Sequence, residues 1–110
     1  MPRAVFFVQT QAVSPDRADE YHKWYDSTHI PQLCEIPGIV SARRFDLVGT
    51  GRGPADPSVP SHAAIYEIEA DDIDAVMDEM AARAADGRTE RSDALQLDPP
   101  PVTLLYVERD

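Results

Sequence analysis

The chain has 110 residues, 43% of them hydrophobic, which suits one domain with its own core. Acidic residues outnumber basic ones 20 to 10, and the resulting formal charge of -10 repels nucleic-acid phosphates and anionic membranes, so we expect neither as a partner. No apolar run approaches the ~20 residues of a membrane-spanning helix. Cys34 is the only cysteine, so no internal disulfide is possible, which fits a reducing cytoplasm.

The N-terminal residues predict a strand that needs cover on both of its faces. Residues 3–11 are rich in β-branched and aromatic side chains, which favour extended structure. A sheet with one face in water alternates apolar with polar side chains. Here both faces are largely apolar, carrying Ala4, Phe6 and Val8 on one side and Val5 and Phe7 on the other.

Residues 14–30 predict a helix that Pro31 interrupts. Ser14 is a candidate N-cap, and Pro15 suits the first helical position. Pro31 cannot donate a hydrogen bond to the carbonyl of Ser27, and it disfavours helical geometry in the residue before it. We therefore expect the helix to kink or restart at this proline.

The rest of the chain completes the order β-α-β-β-α-β. Strands are predicted over 38–49, 62–70 and 102–109, and a second helix over 71–87. This order is typical of the ferredoxin-like α+β fold, a four-stranded antiparallel sheet with both helices on one face. We expect a single domain over residues 1–110. Because the helices cover only one face of the sheet, its apolar second face predicts a homodimer formed through the sheets.

The segment EYHKWYDSTHIPQLCEIPGIVSARRF, residues 20–45, resembles the dimeric α/β-barrel superfamily and, within it, EthD-like proteins. The residues that carry the resemblance are Trp24, Tyr25, Asp26, His29, Pro31, Pro37 and Gly38. The resemblance implies a dimeric ferredoxin-like fold. It also implies a wide range of activities, which includes polyketide cyclases, lactone isomerases, decarboxylases, haem-degrading proteins and cofactor-free monooxygenases. The fold does not select among these activities.

Three side chains in this segment repeat at helical spacing, which predicts that His22, Asp26 and His29 share one helix face. A carboxylate bonded to one imidazole nitrogen fixes the tautomer and makes the other nitrogen a better base. We predict His29 as a general acid or base and Asp26 as the residue that orients it. The alternative is that His29 is structural and bonds the carbonyls that Pro31 leaves free.

Further candidates would line a pocket for a small hydrophobic molecule, namely Trp24, Tyr25, His22, Tyr66, His62 and Arg43. Tyr66 could donate a hydrogen bond to a developing oxyanion. Arg43 and Arg44 point to opposite faces of one strand, so only one of them can face the pocket and hold a carboxylate or enolate. Structural roles are open as well, because His22 could be exposed, Trp24 could lie in the core and Tyr66 could lie at the dimer interface.

Neither a metal nor another cofactor is predicted. On a continuous helix His22 and His29 lie about 10 Å apart along the axis, at ~1.5 Å per residue, and cannot share an ion whose bonds are ~2 Å long. A metal site would need His29, His62 and a carboxylate brought together by the fold, and the sequence shows no ligand-spacing signature.

These observations favour a small cofactor-independent enzyme that acts by acid–base chemistry on a hydrophobic aromatic or polyketide-like carbonyl compound. The reaction would be a cyclisation, isomerisation, dehydration or decarboxylation. One alternative is a non-catalytic protein that binds a small molecule in the same pocket. Another is a cofactor-free monooxygenase, in which a similar base forms a substrate carbanion and oxygen is consumed. An oriented base favours catalysis over binding alone, because a binding protein does not need one.

Overall fold

The computed structural model describes residues 1–109 and contains one antiparallel sheet with helices on one face. Its strands are β1 (Arg3–Thr10), β2 (Ile39–Asp46), β3 (His62–Glu69) and β4 (Val102–Val107), arranged in the order β2-β3-β1-β4. Its helices are α1 (Ala18–Trp24), α2 (Ile30–Cys34) and α3 (Ile73–Ala85). The predicted ferredoxin-like α+β fold is confirmed.

The core lies between the helices and one face of the sheet. Ala64, Tyr66 and Ile68 alternate along β3 and are fully buried, and their neighbours Ala4 and Val8 on β1 are also buried. The opposite face carries apolar side chains that the helices do not cover, which are Val5, Phe7, Ile65, Leu104 and Tyr106. The sheet therefore has one face that the helices cover and one open apolar face, as the sequence predicted.

The first helical segment is broken into three parts. A 3-10 turn spans Pro15–Arg17, and a π turn over Tyr25–His29 separates α1 from α2. In this turn the amide of Ile30 donates to the carbonyl of Tyr25, five residues earlier. The predicted restart at Pro31 is thus confirmed. Ser14 has the extended backbone of an N-cap residue, but its side chain makes no capping hydrogen bond.

Helix α3 begins two residues later than the sequence indicated, because Asp72 acts as its N-cap. The Asp72 carboxylate accepts a hydrogen bond of 3.1 Å from the amide of Ala75. Val76 is the buried residue of this helix and packs against Gly38, just before β2. None of the helices within residues 1–109 has the length and apolar composition needed to cross a bilayer.

Glycine is needed at position 38 for two reasons, its backbone conformation and its lack of a Cβ atom. We therefore expect Gly38→Ala to destabilise the fold. Its φ angle is +101°, and a Cβ atom there would lie 2.7 Å from Val76 Cγ2. The strained backbone and the overlap together should lower the free energy of unfolding by roughly 1–3 kcal/mol, measured by chemical denaturation. Gly51→Ala is the matched control, because Gly51 has a φ of +89° with nothing within 4 Å of a new Cβ. Equal losses in the two variants would show that the Val76 contact contributes nothing.

Candidate functional site

A cavity of about 230 Å³ lies between the helices and the covered face of the sheet. Its walls come from β1, β3, β4 and all three helices, and they include Phe6, Val8, Trp24, Tyr25, Leu33 and Met80. Among residues 1–109 the lining contains residues with aromatic, aliphatic, hydroxyl and imidazole side chains, but no Asp, Glu, Lys or Arg. A cavity therefore lies between the first helical region and the sheet.

His29 enters this cavity from the end of the π turn. Its ring stacks on Trp24 with the centroids 4.6 Å apart and meets Tyr25 edge-on at 5.0 Å. The buried Nδ1 atom has no hydrogen-bond partner within residues 1–109, so it does not cap a carbonyl that Pro31 leaves free. Burial lowers the pKa of His29 to about 4, and the ring is consequently neutral at pH 7.

Two residues with hydroxyl groups, Tyr66 and Thr89, line the same cavity. Tyr66 lies in the middle of β3, between Phe6 of β1 and Ala42 of β2, and both its hydroxyl and that of Thr89 are buried. Neither hydroxyl has a hydrogen-bond partner of good geometry in the part of the chain that the structure describes, although the side chain of Tyr25 lies beside the Tyr66 hydroxyl. Burial, together with the neighbouring Tyr25, raises the pKa of Tyr66 far above its ordinary value. Tyr66 therefore stays protonated and can donate a hydrogen bond.

Thr89 reaches the cavity because the segment after α3 is tied to the first helical region. Gln32 Nε2 donates to Glu90 Oε2 at 2.6 Å, and the amide of Glu90 donates back to Gln32 Oε1 at 2.8 Å. The indole Nε1 of Trp24 donates to the Glu90 carbonyl at 3.3 Å. These bonds hold the residue next to Glu90 against the cavity. The sequence shows no local signal for this role of Thr89.

A second cluster forms around Arg44, outside the cavity. Arg44 Nη1 donates to His22 Nδ1 at 3.0 Å and to Asp26 Oδ1 at 3.1 Å, and its guanidinium lies 4.4 Å from the centre of the Tyr25 ring. Since a guanidinium only donates, Nδ1 of His22 must accept and Nε2 carries the hydrogen. Burial and the positive charge of Arg44 lower the pKa of His22. Arg44 thus faces the helices.

The predicted pairing of Asp26 with His29 is absent, because Asp26 bonds Arg44. A π turn advances more residues per turn than an α-helix, so side chains three positions apart diverge further around the axis. His62 also belongs to the Arg44 side, where it bonds Asp46 at 2.8 Å and packs on His22 at 4.6 Å.

Arg43 lies on the open face of the sheet and bonds Glu67 at 3.0 Å, so it does not reach the cavity.

The structure therefore divides the predicted site residues among three places. Four of them line the cavity, namely Trp24, Tyr25, His29 and Tyr66. His22 and Asp26 contact Arg44, and His62 lies next to His22 on that side. Arg43 faces outward. No group of three or more potential metal ligands occurs within residues 1–109.

A larger concave region of about 420 Å³ lies at one end of the sheet. Its polar lining consists of Arg3, Glu67, Glu69 and Glu108, and Arg3 pairs with Glu69 at 3.5 Å. It contains no histidine and none of the buried unpartnered atoms. The smaller cavity that contains His29 is therefore the candidate site.

No protein-family model matches the sequence, and no curated protein gives a significant match. Solved structures match over nearly its whole length. An ethyl tert-butyl ether D (EthD) family protein from Bacillus halodurans shares 18% identity, with 99% of this chain and 100% of that chain covered and a TM-score of 0.57. This chain has the fold of an EthD-family protein.

Two further solved structures support the same fold. One, from Shewanella loihica, is described as a proposed monooxygenase, with 15% identity, 96% and 94% of the two chains covered and a TM-score of 0.60. The other is a dimeric ferredoxin-like protein of unknown function from Thermobifida fusca, with 14% identity, 97% and 92% covered and a TM-score of 0.55. At these identities the likeness shows the fold, and the resemblance predicted from residues 20–45 is confirmed at that level.

The burial of neutral His29 predicts that acid destabilises the fold. In the unfolded chain the ring has an ordinary pKa near ~6.5, against about 4 in the folded chain. As the pH falls below ~6.5, the unfolded chain takes up a proton that the folded chain does not. The stabilising contribution is therefore complete above pH ~6.5 and declines towards pH ~4, by on the order of 2–3 kcal/mol in all.

His29→Phe separates this effect from the titration of the carboxylates, because it keeps an aromatic ring beside Trp24 but cannot take up a proton. Urea unfolding at about pH 7.5 and pH 5 should show a larger loss in the wild type than in the variant, by about 1–2 kcal/mol. His22 titrates in both proteins and cancels. The same pH dependence in both proteins would contradict the burial of a neutral His29.

Proposed function

We propose that the chain is a small cofactor-independent enzyme that acts by acid–base chemistry on a hydrophobic aromatic or polyketide-like carbonyl compound. One observation carries the proposal. Three residues that line one apolar cavity each carry a buried polar atom without a hydrogen-bond partner within residues 1–109, namely His29 Nδ1, the Tyr66 hydroxyl and Thr89 Oγ1. Buried polar groups are nearly always hydrogen-bonded, so three exceptions in one cavity favour a ligand as their partner.

The chemistry follows from the protonation state of each group. Neutral His29 can accept a proton from the carbon next to a substrate carbonyl, and the Tyr66 and Thr89 hydroxyls can donate to the enolate oxygen that results. Trp24 and Tyr25 provide flat apolar walls for an aromatic ring. A negative charge developing on the substrate favours the imidazolium form, so the pKa of His29 rises as the proton arrives.

Cyclisation, isomerisation, dehydration and decarboxylation of carbonyl compounds all pass through an enolate or its equivalent. The same three groups therefore serve each of these reactions. In this proposal Asp26 has no direct part, because its carboxylate bonds Arg44. Its ion pair holds the Arg44 guanidinium beside the ring of Tyr25, outside the cavity.

Cofactor-free oxygenation is a second candidate, favoured by the likeness to the proposed monooxygenase from Shewanella loihica. It begins with the same substrate carbanion, which then reacts with oxygen. Oxygen consumption with an enolisable substrate would separate it from the first candidate. A protein that only binds its ligand would show neither oxygen uptake nor exchange of the substrate proton.

A hydrogen-exchange assay tests the proposed role of His29 directly. The wild type should accelerate deuterium incorporation at the methyl group of para-hydroxyacetophenone and related aryl ketones in D₂O, followed by proton NMR. His29→Phe should lower this rate by about 10²–10⁴-fold, the usual effect of losing a positioned acid or base. Asp26→Asn is the matched control and should stay close to the wild type. An unchanged rate in folded His29→Phe protein would end the catalytic assignment.

We also propose that the open face of the sheet forms a homodimer. Phe45, Leu104 and Tyr106 lie on this face with 44%, 39% and 56% of their surface exposed. Burying such a surface against a second copy is favourable through the hydrophobic effect. The neighbour from Thermobifida fusca with the same fold is described as dimeric, which supports this proposal.

Phe7→Glu should convert the dimer to a monomer, because Phe7 lies in the middle of the open face between Ile65 and Leu104 and the change would bury an unpaired charge at the interface. Light scattering after size-exclusion chromatography measures the mass. Val48→Glu is the control, since Val48 is 98% exposed beyond the end of β2. A wild-type protein that is monomeric at micromolar concentration would rule out this interface.

A further inference from the structure

Both helices that flank the π turn bond one residue of the segment between α3 and β4, namely Glu90. On α2, Gln32 donates to the Glu90 carboxylate at 2.6 Å and accepts from the Glu90 backbone amide at 2.8 Å. On α1, the indole of Trp24 donates to the Glu90 carbonyl at 3.3 Å. Glu90 therefore connects the helices on either side of the turn that contains His29.

The residue before Glu90 has a backbone hydrogen bond of its own. The amide of Thr89 donates to the carbonyl of Arg83 in α3 at 3.0 Å. The backbone is thus bonded to α3 at Thr89 and to α2 at the next residue. Thr89 is buried, and its hydroxyl has no partner within residues 1–109, whereas buried hydroxyls usually find one. These two attachments hold Thr89 in the cavity wall.

Trp24 extends the same constraint to the proposed base. Its ring stacks on the ring of His29, with the centroids 4.6 Å apart and the planes inclined by 28°. A shift of the indole relative to the Glu90 carbonyl would therefore move the surface against which the imidazole packs. The bonds of Gln32 to Glu90 thus bear on two groups that the proposed reaction needs around one substrate, the imidazole of His29 and the hydroxyl of Thr89.

We propose that Gln32 is a positioning residue of the enzyme, which acts through Glu90 to hold the Thr89 hydroxyl and the His29 ring in the geometry that an enolate requires. This inference rests on the function proposed above. Neither Gln32 nor Glu90 lines the cavity, so both act on the substrate only through other residues. Such an effect can be large, because a misplacement of about 1 Å can lower a rate by ~10²-fold.

Gln32→Leu removes both bonds to Glu90 and keeps a side chain of similar size. In the exchange assay with para-hydroxyacetophenone it should lower kcat by about 10–100-fold. KM should stay within about 2-fold of the wild type, because the Thr89 bond strengthens only as the enolate forms.

Arg17→Met is the matched control for loss of a bond to this segment. It removes the ion pair of 2.5 Å between Arg17 and Asp93, which ties the same segment to the first helical region. Neither of these two residues lines the cavity. The kcat of this variant should stay within about 2-fold of the wild type, as expected for an independent site.

A reversed pair separates the two bonds from general damage to the fold. Gln32→Glu sets a second carboxylate against Glu90 and should lower kcat as Gln32→Leu does, whereas Glu90→Gln keeps an acceptor for Gln32 and should stay near the wild type. Together the two changes restore both bonds with donor and acceptor exchanged, and kcat should return to within about 3-fold of the wild type. These variants also decide the question if Gln32→Leu does not fold.

A double-mutant cycle measures the coupling of Gln32 to Thr89. Thr89→Val should lower kcat by about 10²-fold in the wild type, the effect of losing an oxyanion donor. It should lower kcat by less than about 10-fold when residue 32 is already leucine, because the hydroxyl is then misplaced. A purely structural role of Gln32 would leave the effect of Thr89→Val unchanged.

Nuclear magnetic resonance tests the geometry without the reaction. The chain has one tryptophan, so the indole N–H gives one identifiable cross-peak. In Gln32→Leu this cross-peak and those of the Thr89 amide and the His29 ring should shift. In the reversed pair they should return towards their wild-type positions.

An active wild type with an unchanged kcat in folded Gln32→Leu, or with a change in KM alone, would overturn the positioning role and leave the proposed enzyme standing. So would a reversed pair that does not recover, or equal effects of Thr89→Val in the two backgrounds. A wild type without ketone exchange would contradict the proposed enzyme. The positioning of Thr89 and His29 by Gln32 would then be supported by the expected cross-peak shifts and overturned by unchanged ones.

Discussion

The missing amide hydrogen of Pro31 is the constraint on which the candidate site depends. A regular α-helix would bond this position to the carbonyl of Ser27, and proline cannot supply the donor. The chain instead widens over Tyr25–His29, where the amide of Ile30 bonds the carbonyl of Tyr25, and α2 starts with the proline in its first turn. The extra residue in this turn directs His29 into the cavity, while Asp26 stays beside Arg44.

Because His29 and Asp26 point in different directions, one side of this helical segment faces the charged Arg44 cluster and the other faces the neutral cavity. Arg44 retains 15% of its side-chain exposure and is balanced by the carboxylate of Asp26 and by the face of the Tyr25 ring. A buried guanidinium without such partners would be costly. The ring of Tyr25 contacts Arg44 and also meets His29 edge-on. It therefore stands between Arg44 and the cavity, whose lining within residues 1–109 has no Asp, Glu, Lys or Arg.

The sequence predicts the fold better than the site, and the reasons are local. Strand and helix order follow from hydrophobic periodicity and from prolines and glycines, and these signals are strong in every element of this chain. The facing of Arg43 and Arg44 depends on an irregularity between Ile39 and Ser41, which changes the register of β2. Strict alternation from the buried Ile39 would place Arg43 on the covered face, so the sequence pattern misleads here. Thr89 is held at the cavity by hydrogen bonds between Gln32 and Glu90, the residue next to Thr89. Gln32 is distant from Thr89 in sequence, so no local pattern predicts this role.

The low pKa of His29 and the high pKa of Tyr66 have the same origin, because both side chains are buried where ionisation loses hydration. Each is therefore held in its neutral form, one able to accept a proton and the other able to donate a hydrogen bond. An enolate formed between them would reverse the preference of His29, since its charge favours the imidazolium, and would reinforce that of Tyr66, whose neutral hydroxyl donates to the enolate oxygen. Interactions that strengthen as the enolate forms, and that are weak with the neutral carbonyl, lower a reaction barrier more effectively than tight binding of the substrate does.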